Sequence, residues 1–204
     1  MRSVDVGGDA AALLASVEDD PTRFGEVFDE HAAVIYRYLA RRLGPEDAEE
    51  LVGELFRIAF ERRATFDPRL GGVRPWLYGI ATRLVANFRR SEARRLRATG
   101  RLLETEPPLA DPTEGLVGAV DASRIWPRVA QAVAELPDLE RDALILFAWE
   151  GLGYDEIAAS LEIPVGTVRS RLHRARRRLA GLAGPSHQED DVSLSAYRQS
   201  GRCT

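Results

Sequence analysis

The chain has 204 residues, a formal net charge of −4, 45% hydrophobic residues and 29% charged residues. These values are ordinary for a soluble globular protein, and the length allows one domain or two small ones. Because no apolar run reaches the roughly 18 residues of a membrane span and the N-terminus lacks the pattern of a secretion signal, we expect a cytoplasmic protein without membrane insertion.

Two helices are predicted first, after a flexible segment at residues 1–21. The first helix, at about residues 22–42, repeats apolar side chains at spacings of three and four, as a buried face requires. These side chains are Phe24, Val27, Phe28, Ile35 and Leu39. Gly44 and Pro45 end this helix and begin the second, at about residues 46–63, because proline fits a first helical turn. The second helix is apolar on one side and carries five acids on the other, namely Glu46, Asp47, Glu49, Glu50 and Glu54.

A third helix, at about residues 75–97, follows a loop at 66–72. Its apolar stripe consists of Trp76, Leu77, Ile80, Ala81, Leu84 and Phe88. Steps of four, three and four residues place Arg83, Asn87, Arg90 and Arg94 on one exposed polar stripe. Residues 83–101 contain seven arginines and one acid, so this helix is strongly basic. We expect the three helices to form a bundle in a domain of residues 22–101.

Proline, glycine and scattered acids without helical periodicity predict a flexible linker at residues 102–122. Four helices then follow, at about 123–135, 139–150, 154–161 and 165–182, in a domain of residues 123–183. The polar residues 184–204 predict a disordered tail. The fold class is therefore all-α, with two small helical domains joined by a flexible linker.

The last two helices form a helix-turn-helix. Pro164 cannot continue the first of them, and the second begins just beyond it. In the second helix Val168, Leu172, Ala175 and Leu179 form one buried face, while residues 169–178 hold six arginines and no acid. Such a helix places its N-terminal part against base edges. We expect base contacts from Arg169, Ser170, His173 and Arg174, and phosphate contacts from Arg171, Arg176 and Arg177.

Several segments together resemble bacterial RNA polymerase sigma factors. Residues 136–141 (LPDLER), 149–158 (WEGLGYDEIA) and 164–172 (PVGTVRSRL) resemble the fourth conserved sigma region. Residues 47–52 (DAEELV) with Phe56, and residues 75–81 (PWLYGIA), resemble sigma region two. With only a short linker between these regions, the chain is similar to the extracytoplasmic-function group over about residues 22–182.

The resemblance implies three binding roles. The acidic helix would bind the clamp helices of the largest polymerase subunit through Asp47, Glu50, Leu51, Glu54 and Leu55. The basic third helix would face the opening minus-ten element through Arg83, Asn87, Arg89, Arg90, Arg94 and Arg95. The helix-turn-helix would read the minus-thirty-five duplex through Thr167, Arg169, Ser170, Arg171, His173, Arg174, Arg176 and Arg177. The polymerase flap is a further expected partner, and an anti-sigma factor is left open.

Other function classes have weaker support in the sequence. A metal site on the second helix would need Asp47, Glu49, Glu50 and Glu54 together, but only Asp47 with Glu50 and Glu50 with Glu54 can meet. No histidine accompanies these acids at ligand spacing. Together with the single cysteine, Cys203, this pattern predicts no metal site. There is no Gly-rich phosphate loop or nucleophile elbow, so we expect no enzyme, cofactor or small-molecule substrate. The remaining alternative is an autonomous helix-turn-helix regulator that binds operator DNA, which would leave the N-terminal bundle without a role.

Overall fold

Seven α-helices carry the two parts of the chain that the structure, a computed structural model, describes: residues 21–98 and 128–182. The N-terminal unit contains α1 (Phe24–Leu43), α2 (Pro45–Glu61) and α3 (Val73–Ala98). The C-terminal unit contains α4 (128–134), α5 (Asp138–Ala148), α6 (Tyr154–Leu161) and α7 (Val165–Leu182). Within these ranges every regular element is helical, as the all-α prediction requires.

Parts of the predicted organisation lie outside the described residues. These are the N-terminal segment up to residue 20, the linker at 102–122 and the tail at 184–204. The last residues of the first predicted domain, the first residues of the second and residue 183 lie outside them as well. Among the described helices, none is long and apolar enough to cross a bilayer.

The junction between α1 and α2 follows from two adjacent residues. Gly44 has φ +98°, a backbone conformation that side chains disfavour, and its N–H donates to the carbonyl oxygen of Ala40 at 2.9 Å. Pro45 then occupies the first position of α2, where no N–H is needed. The predicted end of α2 was two residues too late, because the chain leaves the helix after Glu61 and makes a 3-10 turn at Arg63–Thr65.

The core of the N-terminal unit lies where α1, α2 and α3 meet. The tyrosines Tyr38 and Tyr78 are fully buried there, and their rings meet edge to face with centroids 5.3 Å apart. The apolar periodicity correctly placed Val27, Ile35 and Leu39 inside. It was wrong for Phe28, which is 42% exposed because it lies at the rim of the bundle and only packs its edge against Phe56.

The C-terminal unit matches the predicted helix-turn-helix. Both α6 and α7 have the predicted bounds, whereas α5 ends two residues earlier than expected, before Gly151 with φ +69°. Ile157 from α6 and the residues Val168, Leu172 and Ala175 from α7 are buried between the helices.

The two units also pack against each other, mainly through α3 and α6. The contact depends on a glycine: a Cβ atom added to Gly79 of α3 would lie 2.5 Å from the carbonyl oxygen of Ser160 in α6. The Ser160 hydroxyl lies 2.7 Å from the carbonyl oxygen of Pro75 and 2.8 Å from that of Glu156, and it can donate to either. Two polypeptide backbones therefore meet across this interface without an intervening side chain.

Candidate nucleic-acid interface

The turn between α6 and α7 sets the direction of the last helix. Glu162 ends α6 in the left-handed conformation, with φ +53° and ψ +47°. The carbonyl oxygen of Pro164 then accepts hydrogen bonds from the N–H groups of Thr167 and Val168, at 2.8 and 3.2 Å, and so starts α7. Upstream, the Gly153 N–H donates to Glu156 Oε2 at 2.7 Å and satisfies the first turn of α6.

Helix α7 exposes the arginine face that the sequence predicts. Six of its eight predicted DNA-binding side chains are exposed, and two are half-buried. The exposed ones are Arg169, Ser170, His173, Arg174, Arg176 and Arg177; the half-buried ones are Thr167 and Arg171. Because the opposite face of α7 is buried in the unit, the arginines are presented together on one side.

Two arginines of α7 are oriented by an acid that sequence reasoning missed. The carboxylate of Glu140, buried at the start of α5, accepts from Arg174 Nε at 3.0 Å and lies 3.1 Å from Arg178 Nε. The Arg174 side chain remains 54% exposed, so its guanidinium is fixed at one edge and open at the other. On the same helix the Arg176 guanidinium lies 5.1 Å from the ring centre of Phe147. In the sequence, the only indication of these contacts with the α7 arginines was the acidic first turn of α5.

The basic stripe on α3 is also exposed as predicted: Arg83, Asn87, Arg90 and Arg94 all face outward, and so does Arg95. Within it Arg90 Nη2 donates to Asn87 Oδ1 at 2.5 Å. Arg89 differs from the other members of the predicted set because it is half-buried and donates to the carbonyl oxygen of Arg42 at 3.1 Å. Arg89 also lies 3.9 Å from the Asp138 carboxylate at the start of α5, so it faces the C-terminal unit.

A cavity of about 240 Å³ lies beside this stripe. Its walls come from the loop at 65–72, from α3 and from the end of α6. Phe66 and Trp76 meet edge to face there, with ring centroids 5.5 Å apart. At the rim the Asp67 carboxylate accepts hydrogen bonds from the Arg69 side chain and backbone, which lowers the pKa of Asp67 to about 2. The sequence pattern identified the loop but not the cavity, because the wall from α6 lies about 85 residues further along the chain.

The acidic face of α2 is partly as predicted. Glu50 is exposed, whereas Leu51 and Glu54 are half-buried, so all three can be reached by a partner. Partial burial and the neighbouring acids Glu46, Glu92 and Glu50 raise the pKa of Asp47, so this end of α2 concentrates negative charge. Leu55 requires a correction: it is fully buried in the bundle core and supports α2 from inside rather than offering a contact surface. Among the described residues, no group of three or more His, Cys, Asp or Glu side chains could hold a metal ion.

Two family models match the chain. One, described as Sigma-70 region 2, matches residues 27–95, and the other, described as Sigma-70, region 4, matches residues 127–179. The first match covers most of the N-terminal unit with its acidic and basic helices. The second covers nearly all of the C-terminal unit, including the arginine face of α7.

Curated relatives extend the similarity along most of the chain. The ECF RNA polymerase sigma factor SigL of Mycobacterium tuberculosis (strain ATCC 25618 / H37Rv) is 32% identical over 175 residues, which are 85% of this chain and 92% of SigL. SigE, an ECF RNA polymerase sigma factor of Mycolicibacterium smegmatis, is 33% identical over 183 residues, or 86% of this chain. That alignment spans 64% of SigE, so the chain covers just under two thirds of this longer relative.

Solved structures share the fold. The sigma factor RpoE of Bartonella quintana, crystallised with the anti-sigma factor NepR, superposes with a TM-score of 0.64 at 22% identity, covering 80% of this chain and 98% of RpoE. CnrH in complex with the cytosolic domain of CnrY gives a TM-score of 0.59 at 24% identity, covering 87% of this chain and 99% of CnrH. At these identities the similarity shows a common arrangement of helices.

Proposed function

Because the chain belongs to the extracytoplasmic-function sigma factors of the sigma-70 family, we propose that it binds core RNA polymerase, directs it to specific promoters and helps to open the DNA. The observation that carries this proposal is the presence of two arginine-rich faces on two different units, one on α3 and one on α7. A duplex-reading regulator needs only the second of these faces.

The two faces suit different states of promoter DNA. Helix α7 offers exposed arginines at the N-terminal end of a helix-turn-helix recognition helix, where side chains reach base edges in the major groove of a duplex. The α3 stripe lies beside a cavity lined by Phe66 and Trp76. Positive charge next to aromatic side chains favours a separated strand, because unstacked bases can pack against rings while phosphates meet arginines. We therefore assign the minus-thirty-five element to α7 and the minus-ten element to α3.

The acidic face of α2 is the surface that we propose for binding the protein partner, core RNA polymerase. Glu50 is exposed and Glu54 is half-buried, and both acids would repel DNA phosphates. They suit a basic surface on the polymerase, and we infer that Asp47 and Leu51 contribute at the edges of the same contact. The chain would then work in the cytoplasm, where bacterial polymerase and chromosome are found, as a binding factor without catalytic chemistry of its own.

The proposal is tested by run-off transcription with purified core polymerase. Initiation from a subset of promoters should depend on the added chain, and transcript sequencing should reveal one shared pair of promoter elements. Arg169→Ala should reduce initiation at these promoters, whereas Arg128→Ala, which removes an exposed arginine on α4, serves as the matched control. If initiation never depends on the chain while the chain alone binds duplex operators tightly, the autonomous regulator is the correct function.

A further inference from the structure

One buried carboxylate lies beside the arginine face of α7. Glu140 is the third residue of α5, and its side chain is only 8% exposed. Its Oε1 accepts a hydrogen bond from Arg174 Nε at 3.0 Å, and its Oε2 lies 3.1 Å from Arg178 Nε. Since Arg174 and Arg178 are four residues apart, they lie one turn apart on the same side of α7. A single acid therefore restrains two neighbouring arginines of this helix.

Burial prevents Glu140 from contacting DNA directly. Its two partners are open by comparison, because the side chains of Arg174 and Arg178 are 54% and 56% exposed. The carboxylate is held in place by α5, which packs against α7. Glu140 lies in the first turn of α5, where the unpaired N–H groups of a helix favour negative charge. Any effect of Glu140 on DNA must therefore pass through the arginines that it contacts.

The contact with Glu140 uses only part of the Arg174 guanidinium. The hydrogen bond involves the Nε–H, so the N–H groups on the two Nη atoms remain for DNA. Two parallel N–H groups of such a fork can donate to O6 and N7 of a guanine. An arginine that moves freely before binding loses rotational freedom when it contacts a base, and a restrained arginine loses less. Glu140 therefore prepares Arg174 for a base contact.

The same carboxylate reduces the positive charge that α7 offers to phosphates. Residues 169–178 hold six arginines and no acid, so the helix itself supplies no opposing charge. Contacts with phosphates increase affinity for every DNA sequence, whereas contacts with base edges distinguish sequences. We expect Glu140 to weaken sequence-independent binding and to strengthen base discrimination at once. A residue that only stabilised the fold would instead change both quantities in the same direction.

We propose that Glu140 is a positioning residue for duplex recognition, which holds Arg174 ready for one base pair and keeps Arg178 away from the phosphates. The proposal rests on the proposed function, because it takes α7 as the helix that enters the major groove. It adds that a residue outside the helix-turn-helix determines part of the sequence preference. Arg169 provides an internal reference: it precedes Arg174 by five residues, about 140° around the helix, on a different side of α7 from the two arginines that Glu140 contacts.

Discrimination between duplexes is the first readout, measured with the full-length chain. Duplexes are selected from a random-sequence pool with the wild-type chain. The base pairs read by Arg174 and Arg169 are those at which Arg174→Ala and Arg169→Ala lose discrimination. Glu140→Ala should reduce discrimination at the Arg174 base pair about two- to tenfold, as expected when one more side chain must be ordered on binding. Discrimination at the Arg169 base pair should stay unchanged.

Affinity for duplex DNA of unrelated sequence is the second readout. Glu140→Ala should raise this affinity about threefold at low salt and steepen the slope of log affinity against log salt by about one, because Arg178 is released to a phosphate. Glu140→Gln keeps an oxygen that can accept from Arg174 but removes the charge, so it should retain most of the discrimination and still raise this affinity. Glu135→Ala, which removes an exposed acid that accepts from Gln131, is the matched control and should change neither readout.

A double variant separates positioning from a structural role. In an Arg174→Ala background, Glu140→Ala should cause no further loss of discrimination, because its effect passes through Arg174. A further loss in that background, or an equal weakening on every duplex, would make Glu140 a residue that only supports the fold, and the proposal would be wrong. Circular dichroism and urea unfolding show whether each variant is folded, and the isosteric Glu140→Gln keeps the test decisive if Glu140→Ala is unstable.

Run-off transcription distinguishes failure of this proposal from failure of the proposed function. If initiation never depends on the chain while Glu140→Ala still alters duplex discrimination, the sigma function is wrong and the positioning role stands in an autonomous regulator. If initiation depends on the chain but Glu140→Ala discriminates at the Arg174 base pair as well as wild type, only the positioning role is wrong. If the pool yields no preferred sequence, α7 does not select sequences and the positioning role is wrong as well.

Discussion

Gly79 of α3 and Ser160 of α6 meet backbone to backbone, so closely that a Cβ on Gly79 would lie 2.5 Å from the Ser160 carbonyl oxygen. Nothing in the helix itself requires glycine at this position, and alanine would favour an isolated helix by about 1 kcal/mol. The glycine is therefore explained by the partner helix rather than by α3. Gly79 therefore marks a position where the two units are in close contact, and a buried ion pair also joins the units.

The Arg42–Asp142 pair should behave as a buried ion pair. Arg42→Leu leaves the Asp142 carboxylate without its main partner and should lower the free energy of unfolding by up to about 3–5 kcal/mol. Urea unfolding followed by circular dichroism measures this change. Arg42→Leu combined with Asp142→Leu should recover much of the loss, because no unpaired charge remains. Arg57→Leu, at an exposed position that contacts Glu54 and Glu61, is the control and should change stability little.

Arg174→Ala should weaken recognition of the minus-thirty-five duplex. Glu140 fixes one edge of the Arg174 guanidinium and leaves the other open, so we expect a base contact worth about 1–3 kcal/mol of discrimination between promoter sequences. Fluorescence anisotropy with matched and mismatched duplexes measures it. Association with core polymerase should not change. An equal loss of affinity on every duplex would instead make Arg174 a phosphate contact.

Charge reversal on α2 should weaken the association with core polymerase. Glu50 is exposed on the acidic face, and Glu50→Arg should reduce the affinity about tenfold at low salt, with a smaller effect as salt screens the charges. Surface plasmon resonance with immobilised core enzyme gives both rate constants, and the change should fall mainly on association. Glu135→Arg on the C-terminal unit makes the same charge change away from this face. A comparable loss from both variants would contradict a specific role of α2.

His31 should make stability depend on pH. Burial lowers the pKa of His31 below its ordinary value of 6.5, so the unfolded chain binds the proton more readily than the folded one. Stability should therefore fall as pH drops from about 6.5 toward the folded pKa, and should be fully present above 6.5. Thermal unfolding across this range measures the slope. His31→Gln should flatten it, and an unchanged slope in this variant would assign the dependence to other groups.

The sequence correctly predicted features that depend on a single helix, namely its apolar and charged faces and, for the helix-turn-helix, the helix ends. Steps of three and four residues located the exposed arginines of α3 and the buried face of α7, and both helices of the helix-turn-helix were placed with correct ends. The predictions were wrong where packing against a second element determines whether a residue is buried or exposed. Leu55 was assigned to the polymerase contact by the family resemblance, but it is fully buried in the core, and Phe28 was expected inside but is 42% exposed.

The contacts between the units could not be predicted from periodicity. Arg42 and Asp142 are 100 residues apart, and neither their spacing nor their helix positions indicate that they meet. Arg89 was included in the predicted minus-ten set, yet it is half-buried and lies 3.9 Å from Asp138 of the C-terminal unit. A pattern in one sequence shows which face of a helix is apolar or charged, but it does not show what that face will touch.

Glu162 ends α6 in a left-handed conformation that costs a residue with a side chain about 1 kcal/mol more than glycine. The same residue supplies the acid on Arg83. Glu162 therefore destabilises the turn locally but provides the carboxylate that pairs with Arg83. The backbone strain and the ion pair belong to the same residue. Replacement by glycine would relieve the backbone and remove the acid together, so a single change should stabilise the turn and leave Arg83 without this ion pair.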